Sequence, residues 1–263
     1  MEIIEILEAK EDSIIMSHLS ESIAQHKVTS ICDYGCGDGR LLGKLHERFP
    51  DLVNLAGIDS WSDETCIREK PVEGTIEYID NTSEEFIGFL HKSSFDLVFS
   101  TFALHHFQFP MQELKRMEAL LAPGGELVLI DMYRDYHDVE SIVDNVSFYN
   151  NQMLISSLKG HFHRIPYTRE EVADLLLALD VVLVDQSIAD LDLTEEEVKL
   201  FKSEMPKRRE ASAREQRLKD QQSGLNPVFL DVQERIHQMV AELCQKYETK
   251  PDDLLITRAR KVL

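Results

Sequence analysis

Val28-Thr29-Ser30-Ile31-Cys32-Asp33-Tyr34-Gly35-Cys36-Gly37-Asp38-Gly39 is the stretch around which the chain is organised. A β-prone apolar run ends at an acid, and alternating glycines follow. Arg40 to His46 then carries leucines at helical spacing. Strand, glycine turn and helix start, in that order, predict a nucleotide-binding βα unit. Glycine at 35 and 37 lets the backbone turn sharply and lets a ligand come close to it. The helix start beyond offers N–H groups and a positive dipole end to a ligand carboxylate.

The spacing is not that of the dinucleotide fingerprint G-x-G-x-x-G, whose third glycine would fall at Arg40. The pattern is D-x-G-x-G-x-G, led by Asp33, and it resembles motif I of the class I S-adenosylmethionine (SAM)-dependent methyltransferases. Two later stretches strengthen the resemblance. Phe95-Asp96-Leu97-Val98, followed by Ser100 and by Leu104-His105-His106, is similar to the family's fourth-strand motif. Leu121-Ala122-Pro123-Gly124-Gly125-Glu126-Leu127-Val128-Leu129 is similar to the turn into its fifth strand. Asp253 to Lys261 resembles its final strand, which runs antiparallel between strands five and six.

The resemblance implies an α/β fold: a Rossmann-like, doubly wound, seven-stranded, mostly parallel sheet with the last strand antiparallel and a helical insertion before it. The expected organisation is N-terminal helices over the cofactor cleft at 1–27, a SAM-binding core at 28–191, the insertion at 192–251 and the last core strand at 252–263. Residues 2–9 and 12–26 read as two helices, with His18 packed on the second one's apolar stripe.

The implied cofactor is S-adenosylmethionine, and the sheet's carboxyl edge should hold it. Asp33, Gly35, Cys36 and Gly37 form the motif I turn. Asp59, with Ser60 beside it, ends a second apolar run (Leu52 to Ile58), where a carboxylate suits ribose hydroxyls. Capping of the helix that starts at Trp61 is the other reading of Asp59. Asp80 and Asn81 end a third strand, where the resemblance places an adenine-facing acid. Turn chemistry ahead of the helix at 84–91 fits Asp80 and Asn81 equally. Ser100 lies at the carboxyl edge of strand four.

Methyl transfer from a sulfonium mainly needs the nucleophile held in line. A general base helps where the acceptor must lose a proton. His105 and His106 are the candidate catalytic residues. Tyr133, His137 and Tyr149 are the candidate substrate contacts, with Tyr136, His161, His163 and Tyr167 in the same stretch. His161-x-His163 has metal spacing, but no third ligand stands nearby in sequence. Metal-dependent O-methyltransferases of this family place an acid at the end of strand four, where this chain has Ser100 and Thr101. No metal is therefore expected. The N-P-P-[YF] signature of nucleobase-amine methyltransferases is absent, and Ser100-Thr101-Phe102-Ala103 stands instead.

Composition narrows the partners. In 263 residues, 48 acidic side chains face 28 basic ones, for a net charge of −20. Such a surface repels nucleic acid and anionic membrane. The four cysteines form no C-x-x-C pair, which fits free thiols in a reducing compartment. No apolar stretch spans a membrane, and the first residues lack the pattern of a signal peptide, so a cytoplasmic protein is expected. The expected acceptor is a small molecule. The alternatives are an RNA or protein acceptor, or a non-catalytic role within a larger complex. The first of these leans on the basic run from Lys207 to Lys219. The insertion reads as two helices, about 195–222 and 226–248. Phe229, Val232, Ile236, Met239, Val240 and Leu243 form a stripe on the second. That stripe suits a homodimer through 226–248 or a lid over the active site.

Overall fold

The computed structural model describes residues 2–60, 76–92, 94–133, 153–154, 156–157, 162–222, 224, 226–246 and 251–263. The chain forms two compact units. One comprises Asp12–Met132, Arg169–Ala189 and Leu254–Leu263; the other comprises Met1–Glu11, Tyr133–Thr168 and Asp190–Asp253.

The first of these units holds the sheet. Its strands are β1 (Ser30–Tyr34), β2 (Asn54–Asp59), β3 (Ile76–Asp80), β4 (Phe95–Thr101), β5 (Leu121–Met132), β6 (Val181–Ala189) and β7 (Leu254–Lys261). They lie in the order β3-β2-β1-β4-β5-β7-β6. β1 pairs in parallel with β2 and β4, β2 with β3, and β4 with β5. β7 alone runs against its neighbours, antiparallel to both β5 and β6. The seven-stranded Rossmann-like sheet expected from the sequence is therefore present. Its order reverses between β1 and β4, and in open α/β sheets ligands bind at such a switch point.

The central strands are apolar throughout because both faces are covered. On one face Ile31, Leu97, Phe99, Val128, Ile130 and Ile256 meet Ile15, Leu19 and Ile23 of helix α1 (Ile3–His26) and Leu41, Leu42 and Leu45 of α2 (Arg40–Arg48). On the other, Tyr34 packs against Phe86 of α3 (Glu84–Lys92) and edge-on to Phe107. Its hydroxyl donates to Glu113 of α4 (Pro110–Leu120), where Pro110 occupies the first turn without losing a needed N–H.

Three expectations are refined. The N-terminal helices are one, α1, because Lys10-Glu11-Asp12 contains no breaker. The 122–125 turn is a bulge inside β5: Phe95 pairs with Leu121 and Leu97 already pairs with Glu126. The run Val181 to Asp185, which reads as strand six in sequence, continues in β6 to Ala189 with a register shift at Leu183/Asp185. His18 is packed as expected: Arg258 of β7 reaches its Nδ1 (3.2 Å) and carbonyl (3.1 Å) and pairs with Glu21 (2.8 Å). Burial, and then the Arg258 charge, push the His18 pKa down.

In the other unit, α6 (Glu195–Gln222) and α7 (Pro227–Lys246) form a helical pair after α5 (Arg169–Leu176), which belongs with the sheet. Gln233 donates to Asp220 in a buried contact, and Arg217 pairs with Glu234. The buried face of α7 includes Leu230 and Gln233, whereas Phe229, Val232 and Met239 of the expected stripe stay exposed. The side chains of Val240 and Leu243 lie outside the described residues, as does the stretch 135–160, which reads as helical in sequence, apart from scattered residues.

The amino edge of the sheet is pinned by Asp96. One carboxylate oxygen accepts from the N–H and hydroxyl of Thr29 and of Ser30, at 2.9–3.1 Å. Burial alone would raise this carboxyl, but the four donors outweigh it and hold the pKa below its ordinary 3.8. A carboxyl depressed in the folded state stabilises above its unfolded pKa and loses that contribution as pH falls through the folded value. Asp96→Ala should therefore cost about 1–2 kcal/mol at pH 7, discounted for its partial exposure. The gap between wild type and variant should narrow as pH falls through the lowered carboxyl pKa, below its ordinary 3.8, read by thermal melts across pH. A gap that stays constant through the acid range would mean that the carboxylate contributes nothing.

Candidate active site

Three acids meet at the carboxyl edge because register puts them there. Asp33 pairs with Gly57, one residue along Tyr34 pairs with Ile58, and Asp59 pairs with Asp80. Asp33 is 1 % exposed, and burial, then the Asp59 and Asp38 charges, push its carboxyl well up. Asp59 holds the motif turn from the neighbouring strand: Oδ2 accepts the Gly37 N–H and Oδ1 the Ser60 N–H, both at 2.7 Å. Asp80 Oδ1 accepts from the Thr82 N–H (2.8 Å) and hydroxyl (2.6 Å), which is the turn reading, and the Asn81 N–H donates to the Asp59 carbonyl (2.9 Å).

The turn itself needs its glycines for different reasons. Gly35 has φ +85°, and a Cβ there would sit 2.5 Å from that of Ala103. Gly37 has φ +55°, but a Cβ there meets no atom of the described residues within 4 Å. Open space therefore adjoins the backbone at Gly37. Tyr78 of β3 covers Gly39 and Gly57, a role the sequence reading missed because a tyrosine in a strand carries no motif. Cys36 and Cys32 are both buried free thiols, and burial pushes both up. Thiols so buried are poor nucleophiles.

The two candidate histidines are not equivalent. They lie on a single 3-10 turn, Leu104–His106, directly after β4. His105 is 2 % exposed, while His106 is exposed and its ring lies tilted by 42° against that of His105, centroids 4.1 Å apart. His105 Nδ1 lies 2.7 Å from Asp131 Oδ1 at the end of β5, and its backbone N–H reaches Asp131 Oδ2 (3.2 Å). In sequence Asp131 simply follows the apolar run Leu127 to Ile130, with nothing to tie it to His105. Phe102, which leads into the turn, has φ +52°, a strained conformation for a bulky side chain. Of the candidate substrate residues, Tyr133 follows β5, its N–H donating to the Asp253 carbonyl (3.0 Å). His137 and Tyr149 lie outside the described residues, as do Trp61, Tyr136 and His161.

Comparison with known proteins supplies the family. A sequence profile described as "Methyltransferase domain" matches residues 8–184, well over half of the chain. The chain belongs to this methyltransferase family. An uncharacterised methyltransferase of Mycobacterium tuberculosis is 32% identical over 103 residues, covering 38% of this chain and 49% of that protein. The tRNA U34 carboxymethyltransferase of Campylobacter curvus is 29% identical over 110 residues, covering 40% and 35%. The chain thus spans about half or less of the length of the curated relatives it matches. Among solved structures, the plantazolicin methyltransferase BpumL, in complex with a triazolic desmethylPZN analog and SAH, is similar at 18% identity and TM-score 0.51, covering 98% of this chain and 86% of that one. That likeness concerns the fold.

The residues of this methyltransferase fit SAM on two counts. Asp33 Oδ1 and Ser100 Oγ are buried at the carboxyl edge with no hydrogen-bond partner among the described residues. An ammonium-bearing, cationic ligand supplies what a buried carboxylate and an idle hydroxyl lack. The open space beside Gly37 adjoins the same turn. Asp33, the 35–37 turn, Asp59 and Ser100 would hold the cofactor, which supplies an electrophilic methyl group on a sulfonium. Among the described residues no helix is long and apolar enough to cross a membrane.

Proposed function

We propose that this methyltransferase acts on a small-molecule acceptor and works without a metal ion. The observation that carries the acceptor class is the state of the basic run on α6. Each described cation there is matched by a carboxylate: Lys207 by Glu204 (3.2 Å), Arg208 by Glu2, Arg214 by Glu210 (2.5 Å), Arg217 by Glu234 and Lys219 by Glu215 (2.8 Å). A compensated helix in a chain of net charge −20 offers a polyanion little attraction. The tRNA enzyme of Campylobacter curvus keeps an RNA acceptor as the second reading. Metal independence is supported by the end of β4, which presents Ser100 and Thr101 in place of a carboxylate, and by Asp131, whose oxygens already accept from His105 and the Met132 N–H.

Incubation with methyl-labelled SAM and a fractionated cell extract tests both halves. Label is expected in the small-molecule fraction, and its transfer should survive EDTA. Label in RNA or protein would transfer the proposal to that acceptor. Loss with EDTA and rescue by a divalent ion would remove metal independence and turn attention to the histidine turn.

A further inference from the structure

We infer that Asp131 is a positioning residue that holds His105 as the tautomer protonated on Nδ1, which makes Nε2 the ring's acceptor nitrogen. The argument is one of donors and acceptors. Asp131 Oδ1 accepts the Met132 N–H (2.8 Å) and faces His105 Nδ1 (2.7 Å), while Oδ2 accepts the His105 N–H (3.2 Å). A carboxylate already accepting from two backbone N–H groups has only lone pairs to offer a ring nitrogen. The nitrogen facing it must then be the one that carries hydrogen, and in the neutral ring the other nitrogen holds the lone pair.

The backbone is built to keep this arrangement. The Phe102 N–H donates to the Ile130 carbonyl (2.9 Å), extending the β4–β5 ladder by one bond past Thr101. Phe102 then turns at φ +52°, and His106 N–H to Ala103 carbonyl (2.9 Å) and Phe107 N–H to Leu104 carbonyl (3.2 Å) close the turn. This returns both the N–H and the ring of His105 to the acid on the neighbouring strand. A side chain packed only for volume would need neither contact. Base and orienting acid in hydrogen-bond reach, on adjacent strand ends of a cofactor edge, form the arrangement that sets a base's proton direction. The consequence for chemistry rests on the methyl-transfer reading above: Nε2 can take the proton that a hydroxyl or ammonium acceptor gives up on methylation. The tautomer itself does not rest on that reading.

Nitrogen-15 NMR of the full chain labelled at its histidines, above the pH at which they titrate, reads the tautomer with no acceptor present. The His105 signal is assigned by its loss in His105→Gln. Expected is a protonated Nδ1 in wild type and a shift of the proton to Nε2 in Asp131→Ala. A protonated Nε2 in wild type overturns the inference without any need for the variant to fold, and so does a folded Asp131→Ala that keeps Nδ1 protonated. The two readings fail separately. Methyl transfer with a wrong tautomer leaves the function and removes the role of Asp131. The expected tautomer in a protein that transfers no methyl group to any extract fraction leaves the geometry and removes the function.

Discussion

Replacing Gly37 by valine will cost at least a hundredfold in SAM affinity by calorimetric titration, with a folded protein in both cells of the comparison. The prediction separates binding from folding because the motif glycines are not alike. At Gly35 an added Cβ would collide with Ala103 at 2.5 Å, so Gly35→Val should fail as a protein before it fails as a binder. At Gly37 the same atom meets no described residue within 4 Å, and the described fold bears only the strain of a branched residue at φ +55°. That strain is about 1–2 kcal/mol. The branched side chain would occupy space that a cofactor at this edge must use, and a hundredfold loss is about 2.7 kcal/mol. It would also disturb the Gly37 N–H contact that positions the Asp59 carboxylate. Wild-type affinity in a folded Gly37→Val protein would move the cofactor away from motif I.

His105→Ala should lower turnover by about 10²-fold or more, the usual size of a positioned proton-transfer group, with SAM affinity within a few-fold of wild type. The measurement is transfer of labelled methyl to the responsive extract fraction, alongside titration with SAM. His106→Ala should cost less, because His106 is exposed whereas His105 is buried against Asp131 at 2.7 Å. Normal turnover in His105→Ala with a large loss in His106→Ala would assign the base to the exposed ring and leave His105 as its support. Normal turnover in both would shift the role to Tyr133. Loss of SAM binding in His105→Ala would make the turn a structural element.

Much of the fold was legible because its signals are local. Motif I, the fourth-strand run and the Pro-Gly-Gly turn each announce a strand end within a few residues, and the resemblance supplied the antiparallel place of the last strand between the fifth and sixth. The acids Asp33, Asp59 and Asp80 could be named because each closes an apolar run. What was not legible depends on the pairing of distant segments. Asp131 looked like any acid at a strand end until β4 and β5 came together and set His105 against it. Tyr78 gave no sign that it would cover Gly39 and Gly57, 39 and 21 positions away. The basic run on α6 reads in sequence as a candidate polyanion surface, and three of its partners are indeed close by at i−3 or i−4. Arg208 and Arg217, though, find Glu2 and Glu234, which only the fold of that unit brings to them.

The place of β7 in the sheet bears on how the chain leaves the ribosome. β6 is complete at Ala189, but it has no partner in the sheet until Leu254–Lys261 emerges and pairs with both β6 and β5. While residues 190–253 are being made, β5 ends the nascent sheet with an open row of N–H and C=O groups, and β6 is a detached strand whose Val182, Leu183 and Val184 are exposed even in the finished protein. Bare strands of this kind are where chains join one another in error. The late closing of the sheet makes the interval between the sixth and seventh strands the time at which a nascent chain of this protein most needs a chaperone.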